Sequence, residues 1–420
     1  MNSKGIGTKA FTALLLSMLF LAASMSVGAV VLTPLEKLGK NLFFDNISSP
    51  DWVSCASCHS PDVGWTGPNP SINKHGGVYR GAVPTRFGNR KPPSAAYATL
   101  SPVFHFDAVE ELFVGGNFWD GRATGERLGN PSADQALGPF LNPVEQNNPS
   151  KRAVCEQVLV SQYAVLFEEV WGPGSLDCSD PTLESMYDQI GLSIAAYESS
   201  NEVNQFSSKY DAYRAGEASL SAEEEDGLEL FEGKALCSAC HPTGDQAPFT
   251  DFTYDNLGVP RNPDNPFYDM DEEYLTNGSP INPEGRNWID RGLGAYLENR
   301  PEWQALAAEN MGKHKVPTLR NVGKRYGKGF PKAYSHNGYF KSLKSIVHFY
   351  NTRDAKPSCA DPFTIEKDAL RENCWPAPEV ADNVNTDELG DLGLTDAEED
   401  ALVAFMNTLS DGYKVKKKVK

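Results

Sequence analysis

The chain has 420 residues, in which 56 Asp and Glu outweigh 38 Lys and Arg to give a formal net charge of −18. Such acidity argues against nucleic acid as a partner and favours a cationic or cationic-patched protein. The length is ample for two or three domains with cores of their own.

The predicted elements begin with a leader over residues 1–29. Lys4 and Lys9 precede an apolar run over 10–23, and Val27-Gly28-Ala29 supplies the small residues of a signal-peptidase site, so the mature chain would start near Val30. An uncleaved anchor is the alternative, although the run is short for a spanning helix. No later stretch is apolar enough to cross a bilayer, so a protein that is not transmembrane after leader removal is expected, in the periplasm, at the cell surface or secreted.

Two pentapeptides follow, Cys55-Ala56-Ser57-Cys58-His59 and Cys237-Ser238-Ala239-Cys240-His241. Two thiols one turn apart can add to the two vinyl groups of a haem, and the adjacent histidine then becomes an axial ligand of the iron. No further Cys-x-x-Cys pair exists to complete a tetrahedral zinc centre. Two covalently bound haem c groups are therefore expected, on Cys55, Cys58 and His59 and on Cys237, Cys240 and His241. The other cysteines fall into two near pairs, which suggests disulfides Cys155–Cys178 and Cys359–Cys374, with free buried thiols as the alternative.

A degenerate repeat accompanies the motifs: Gly39, Leu42 and Phe43 precede the first, and Gly227, Leu230 and Phe231 precede the second at the same mutual spacing. Helical periodicity is clear over 183–199 and 397–409, the latter opened by a capping box from Thr395 to Glu398. Loops rich in Pro, Gly, Asn and Asp are expected over 60–100, 129–150, 241–300 and 355–392. The expected fold class is mainly α, with two cytochrome c-like haem domains carrying long loops. The N-terminal domain spans 30–200, the C-terminal domain 201–412, and a solvated basic tail 413–420.

Several segments, in this order and spacing, resemble the bacterial di-haem cytochrome c peroxidase and MauG superfamily. They are Leu38-Gly39-Lys40-Asn41-Leu42-Phe43-Phe44-Asp45, Phe118-Trp119-Asp120-Gly121-Arg122, the stretch from Gln135 to Glu145, Lys315-Val316-Pro317-Thr318-Leu319-Arg320-Asn321-Val322 and Tyr334-Ser335-His336-Asn337-Gly338. The resemblance implies that peroxide reacts at the N-terminal haem, with His59 as proximal ligand. Gln135, Pro139 and Glu145 then form the distal pocket, and Glu145 is the acid/base that moves a proton between the peroxide oxygens. His75, in the loop His75-Gly76-Gly77, falls where the peroxidases keep a removable sixth ligand, while MauG-like members have an open distal site.

At the second haem the resemblance makes His241 proximal and places the other ligand fourteen residues after His336, at Tyr350. The peroxidases carry methionine there; an anionic tyrosine oxygen favours higher oxidation states and marks the MauG-like branch. Met311 as ligand, with Tyr350 merely packed, is the alternative. Trp119 is expected between the two haems as a hopping site. Relatives hold an interdomain calcium ion with an asparagine where this chain has Lys91, whose ammonium cannot coordinate a cation, so calcium is in doubt and Lys91 can stand in for its charge.

The implied function is a hydrogen-peroxide-dependent di-haem oxidoreductase of the MauG-like branch that oxidises a protein substrate at tryptophan through high-valent haem iron. The alternatives are a cytochrome c peroxidase fed by a small redox protein electron donor and a non-catalytic electron-transfer cytochrome, the latter disfavoured by a proton-handling pocket at Gln135, Pro139 and Glu145.

Overall fold

The computed structural model describes residues 31–415. The leader expected over 1–29 and residues 416–420 of the basic tail lie outside the described residues. The described chain is mainly α, with twelve α-helices and two short two-stranded antiparallel ladders. No described helix is long and apolar enough to cross a membrane.

The repeated Gly-x-x-Leu-Phe pattern builds the same helix crossing twice. The first helix, Pro34–Phe44, opens with a Thr33–Glu36 capping box and Pro34 at its first position. It packs on Leu183–Ser199, where Gly39 lies so close that a Cβ would collide with the Ser193 carbonyl. In the second half, Ala222–Glu232 is capped by Ser221 and Glu224, and Asp396–Asn407 by Thr395 and Glu398. Gly227 there meets the Ala401 carbonyl in the same way.

Each crossing anchors its own apolar cluster. Leu38, Leu42, Phe43, Trp65, Phe140, Ile190, Ile194 and Tyr197 belong to a cluster drawn from residues 38–203. Tyr210, Phe231, Phe249, Phe349, Leu402 and Phe405 belong to one drawn from 210–409. A third, smaller cluster joins the halves by packing Phe104 and Phe113 against Tyr254, Leu293 and Leu297. Both suggested disulfides are formed, Cys155–Cys178 and Cys359–Cys374.

Charged side chains buried between the halves fix their register. Arg90 makes two hydrogen bonds of 2.6 Å to the Asp290 carboxylate and one of 2.7 Å to Asp120. Arg320, 1% exposed, grips Asp211 through both terminal nitrogens at 2.7 and 2.9 Å and lies against the rings of Tyr97 and Phe206. Bidentate pairs of this kind set orientation as well as energy.

Each expected loop carries a helix: Pro70–Lys74, Gly292–Leu297 and Glu366–Glu372 are short ones inside 60–100, 241–300 and 355–392, and the longest, Pro131–Leu141, lies inside 129–150. Asn130 caps it and Pro131 occupies the first position, where its missing N–H costs nothing. Buried Ala133, Ala136, Leu137 and Phe140 form its core-facing stripe. Gly138 and Pro139 disguise the pattern.

Candidate functional site: two Cys-x-x-Cys-His cavities

Each pentapeptide folds into a single 3₁₀ turn that borders a large cavity, of about 1660 Å³ at the first and about 1750 Å³ at the second, open mouths included. Cys55, Cys58, Cys237 and Cys240 remain free thiols, whereas the other four cysteines are disulfide-bonded. Burial pushes the thiols of Cys55, Cys58 and Cys237 up to about 12, so they stand protonated among apolar neighbours.

The two histidines are held alike. His59 Nδ1 donates to the Trp65 carbonyl at 3.2 Å, and His241 Nδ1 donates to the Phe249 carbonyl at 2.8 Å. A carbonyl only accepts, so each bond fixes the proton on Nδ1 and leaves the Nε2 lone pair free on a ring that lines its cavity. Desolvation holds His59 down at about 4 and lowers His241 too, keeping both neutral as metal ligands must be. Two cavities, each with a pair of unbonded thiols one turn apart and a neutral imidazole with a free Nε2, provide the donor set for covalently attached haem.

The first cavity is also lined by Gln135, Pro139, Asn142 and Glu145. Gln135 and Pro139 come from the Pro131–Leu141 helix, and Glu145 from the turn that follows it. Asn142 Nδ2 donates to Glu145 Oε2 at 2.9 Å, and the Glu145 carbonyl accepts from Ala82 N at 2.6 Å. Burial raises the Glu145 carboxyl above its usual range, against the pull of Arg122 and the Asn142 hydrogen bond. Arg122 lies over the Phe118 ring at 3.8 Å and pairs with Asp120.

Sequence reasoning missed a second carboxyl here. Glu198 is 4% exposed, lines the same cavity and is pushed up to about 8 by burial. The signal was its place on the buried Ile190, Ile194, Tyr197 stripe of Leu183–Ser199.

Tyr350, on the helix Leu343–Thr352, lines the second cavity among Leu343, Ile346, Val347, Leu392 and Leu402. Its phenol has no hydrogen-bond partner among the described residues, and burial, with Cys240 and Asp255 nearby, raises it above the usual tyrosine range. Met311 does not line this cavity; it packs against the third cluster beside Gly294. Met406 is the methionine that lines it. His336 and His314 also border it, stacked with ring centroids 3.6 Å apart and His314 Nε2 3.3 Å from Asp290.

Trp119 lines both cavities. Its Nε1 donates to the Lys91 carbonyl at 2.8 Å, and its own carbonyl accepts from Lys315 N at 2.8 Å, so the indole is pinned from both halves.

His75 is not brought to the site. It follows the short helix Pro70–Lys74, is exposed, and lines neither cavity. The glycines after it are not a hinge. Gly76 is pressed against Asp264 and Pro266 and its carbonyl accepts from Asn262 Nδ2 at 2.8 Å, while Gly77, at φ +72°, packs on Ala333 and Gly338.

Residues 33–219 match the family described as di-haem cytochrome c peroxidase. The chain is similar to methylamine utilization protein MauG of Paracoccus denitrificans, 35% identical over 386 residues, or 90% of this chain and 88% of the relative. It is 28% identical to cytochrome-c peroxidase IdrP2 of Pseudomonas sp., over 89% of this chain and 80% of the relative. Among solved structures it is similar to the diheme peroxidase BthA of Burkholderia thailandensis, with TM-score 0.69 and 30% identity over 90% of this chain and 86% of that one.

Proposed function

The chain belongs to the di-haem cytochrome c peroxidase and MauG family of oxidoreductases, and from that premise we propose that it uses hydrogen peroxide to oxidise a protein partner, at tryptophan, outside the cytoplasm. Its modules span 30–200 and 201–412, each carrying one covalently bound haem c. When bound, haem c supplies a peroxide-reactive iron in the first cavity and a second redox centre in the other.

The side chains do the rest. Glu145 exchanges a proton with peroxide inside a desolvated pocket, where burial makes its carboxyl hold a proton more tightly than an exposed glutamate does. Asn142 holds Oε2, so Oε1 is the oxygen left to face peroxide. Gln135 contributes an amide that has no partner among the described residues, and the Pro139 ring keeps that wall apolar. Trp119 bridges the cavities as the carrier of an oxidising equivalent. Its N–H partner is a backbone carbonyl, which cannot take the proton away.

The observation that carries the protein-oxidising reading is Tyr350: a half-buried phenol without a hydrogen-bond partner among the described residues lines the second cavity, and Met311 packs elsewhere. The MauG relative, at higher identity than the peroxidase IdrP2, points the same way. The test adds peroxide to the fully ferric holoprotein. Spectral change at both haems without prior reduction is expected, and Tyr350→Met should abolish protein oxidation while leaving the ferric spectrum of the first haem in place. A wild-type near-infrared His/Met band, together with turnover only after pre-reduction, refutes the reading. It would move the ligand role to Met406 and the function to a peroxidase fed by a small redox protein.

A further inference from the structure

A lysine at position 91 conflicts with the interdomain calcium that relatives hold through an asparagine. The Lys91 ammonium donates to Thr66 Oγ1 and to the Pro92 carbonyl, both at 2.9 Å. It lines both cavities, and its backbone N–H donates to the His336 carbonyl at 2.7 Å, across to the other half of the chain. An ammonium has no lone pair to offer a metal, and it already occupies oxygens of the kind that would bind one.

A second ammonium, this one buried, lies close by. Lys332, 5% exposed, donates to the carbonyls of Val63 at 3.0 Å, Asn321 at 3.0 Å and Lys324 at 3.1 Å. Val63 belongs to the first half of the chain, Asn321 and Lys324 to the second, so this one nitrogen ties the halves together. A neutral amine has two N–H groups, and three accepting carbonyls require three. That geometry favours the charged form, although burial and the neighbouring Lys91 both pull Lys332 well below the ordinary lysine range. None of the partners of either lysine is a carboxylate. The nearby Asp120 and Asp290 are both engaged by Arg90.

We propose that Lys91 and Lys332 form a built-in cation site between the two halves, two positive charges ringed by five oxygens, which replaces a bound divalent ion and makes the holoprotein independent of calcium. A metal brought to this seam would meet two ammonium groups with no carboxylate to offset them, so it is repelled. Positive charge lining both cavities also favours the reduced state of whatever redox centre each one holds.

The test is a metal and redox titration of the holoprotein. Wild-type protein dialysed against a chelator should contain only substoichiometric calcium, and its ferric spectra, unfolding midpoint and both midpoint potentials should be unchanged by chelator or added calcium. Lys91→Asn, which restores an amide oxygen and removes a charge, should lower both potentials in chelator and recover on addition of calcium. Lys91→Arg should stay indifferent to calcium. Stoichiometric calcium retained by the wild type through gel filtration, or a shift of its spectra or unfolding midpoint on chelation, overturns the proposal. If Lys91→Asn fails to load both haems, the wild-type metal content and chelator response decide alone.

Discussion

Replacing Glu198 by Gln removes the one carboxyl of the first cavity whose burial is uncompensated. No group among the described residues hydrogen-bonds to it, and desolvation is the sole cause of its rise from 4.5 to about 8. A carboxyl that binds its proton more tightly in the folded state stabilises the fold only while that proton stays on. Below pH 4.5 both folded and unfolded chains carry the proton. Between 4.5 and about 8 the unfolded chain releases it while the native chain holds it, so stability falls with rising pH at about 1.4 kcal/mol per pH unit, reaching a ceiling of about 5 kcal/mol. Above pH 8 the loss is complete. Glutamine has nearly the same shape and no ionisation, so Glu198→Gln should show none of this decline. The assay is urea unfolding of the ferric holoprotein, wild type against variant, from about pH 5 to about pH 9. The stability difference should move in favour of the variant as pH rises and level off above about pH 8. Parallel curves would refute the reasoning and show that Glu198 is solvated or neutralised in solution.

Glu145→Gln should leave both haem spectra almost unchanged and slow the reaction with peroxide by about 10²-fold, as loss of a general acid/base requires; stopped-flow rates equal to the wild type would return Glu145 to an ordinary loop carboxylate. Gly39→Ala and Gly227→Ala each force a methyl into the facing helix backbone and should each cost about 1–3 kcal/mol in urea unfolding. Unchanged unfolding midpoints would mean that these crossings are looser than the backbone contacts imply.

Local chemistry made much of the molecule legible in the sequence. The haem motifs, the caps at Thr395 and Glu398 and the helix over 183–199 all rest on residues within a few positions of one another, and they stand where that spacing put them. What escaped depends on neighbours far along the chain. A glycine pair after a histidine reads as a hinge until Asp264 and Gly338 are seen pressing on Gly76 and Gly77. The Pro131–Leu141 helix was hidden by Pro139, which should cost a helix its hydrogen bond to the carbonyl four residues back. Here that carbonyl belongs to Gln135, and both side chains turn to the cavity. Lys91 and Lys332 are 241 residues apart (332 less 91) and nothing local pairs them.

The repeat explains why one chain can hold two centres of different character. Each half supplies the same glycine crossing, the same pair of free thiols and the same imidazole tethered through Nδ1 to a backbone carbonyl. These features serve attachment and need only local sequence, so they survive duplication together. The remaining wall diverges. At the first cavity it carries two desolvated carboxyls, Glu145 and Glu198, which suit it to moving protons. At the second, Tyr350 presents a phenol without a hydrogen-bond partner among the described residues beside Leu343, Ile346, Val347 and Leu402, while the carboxyls of Asp255, Glu379 and Glu388 stand elsewhere on the lining. Trp119 borders both walls, so a difference in chemistry between them is also a direction for electron flow.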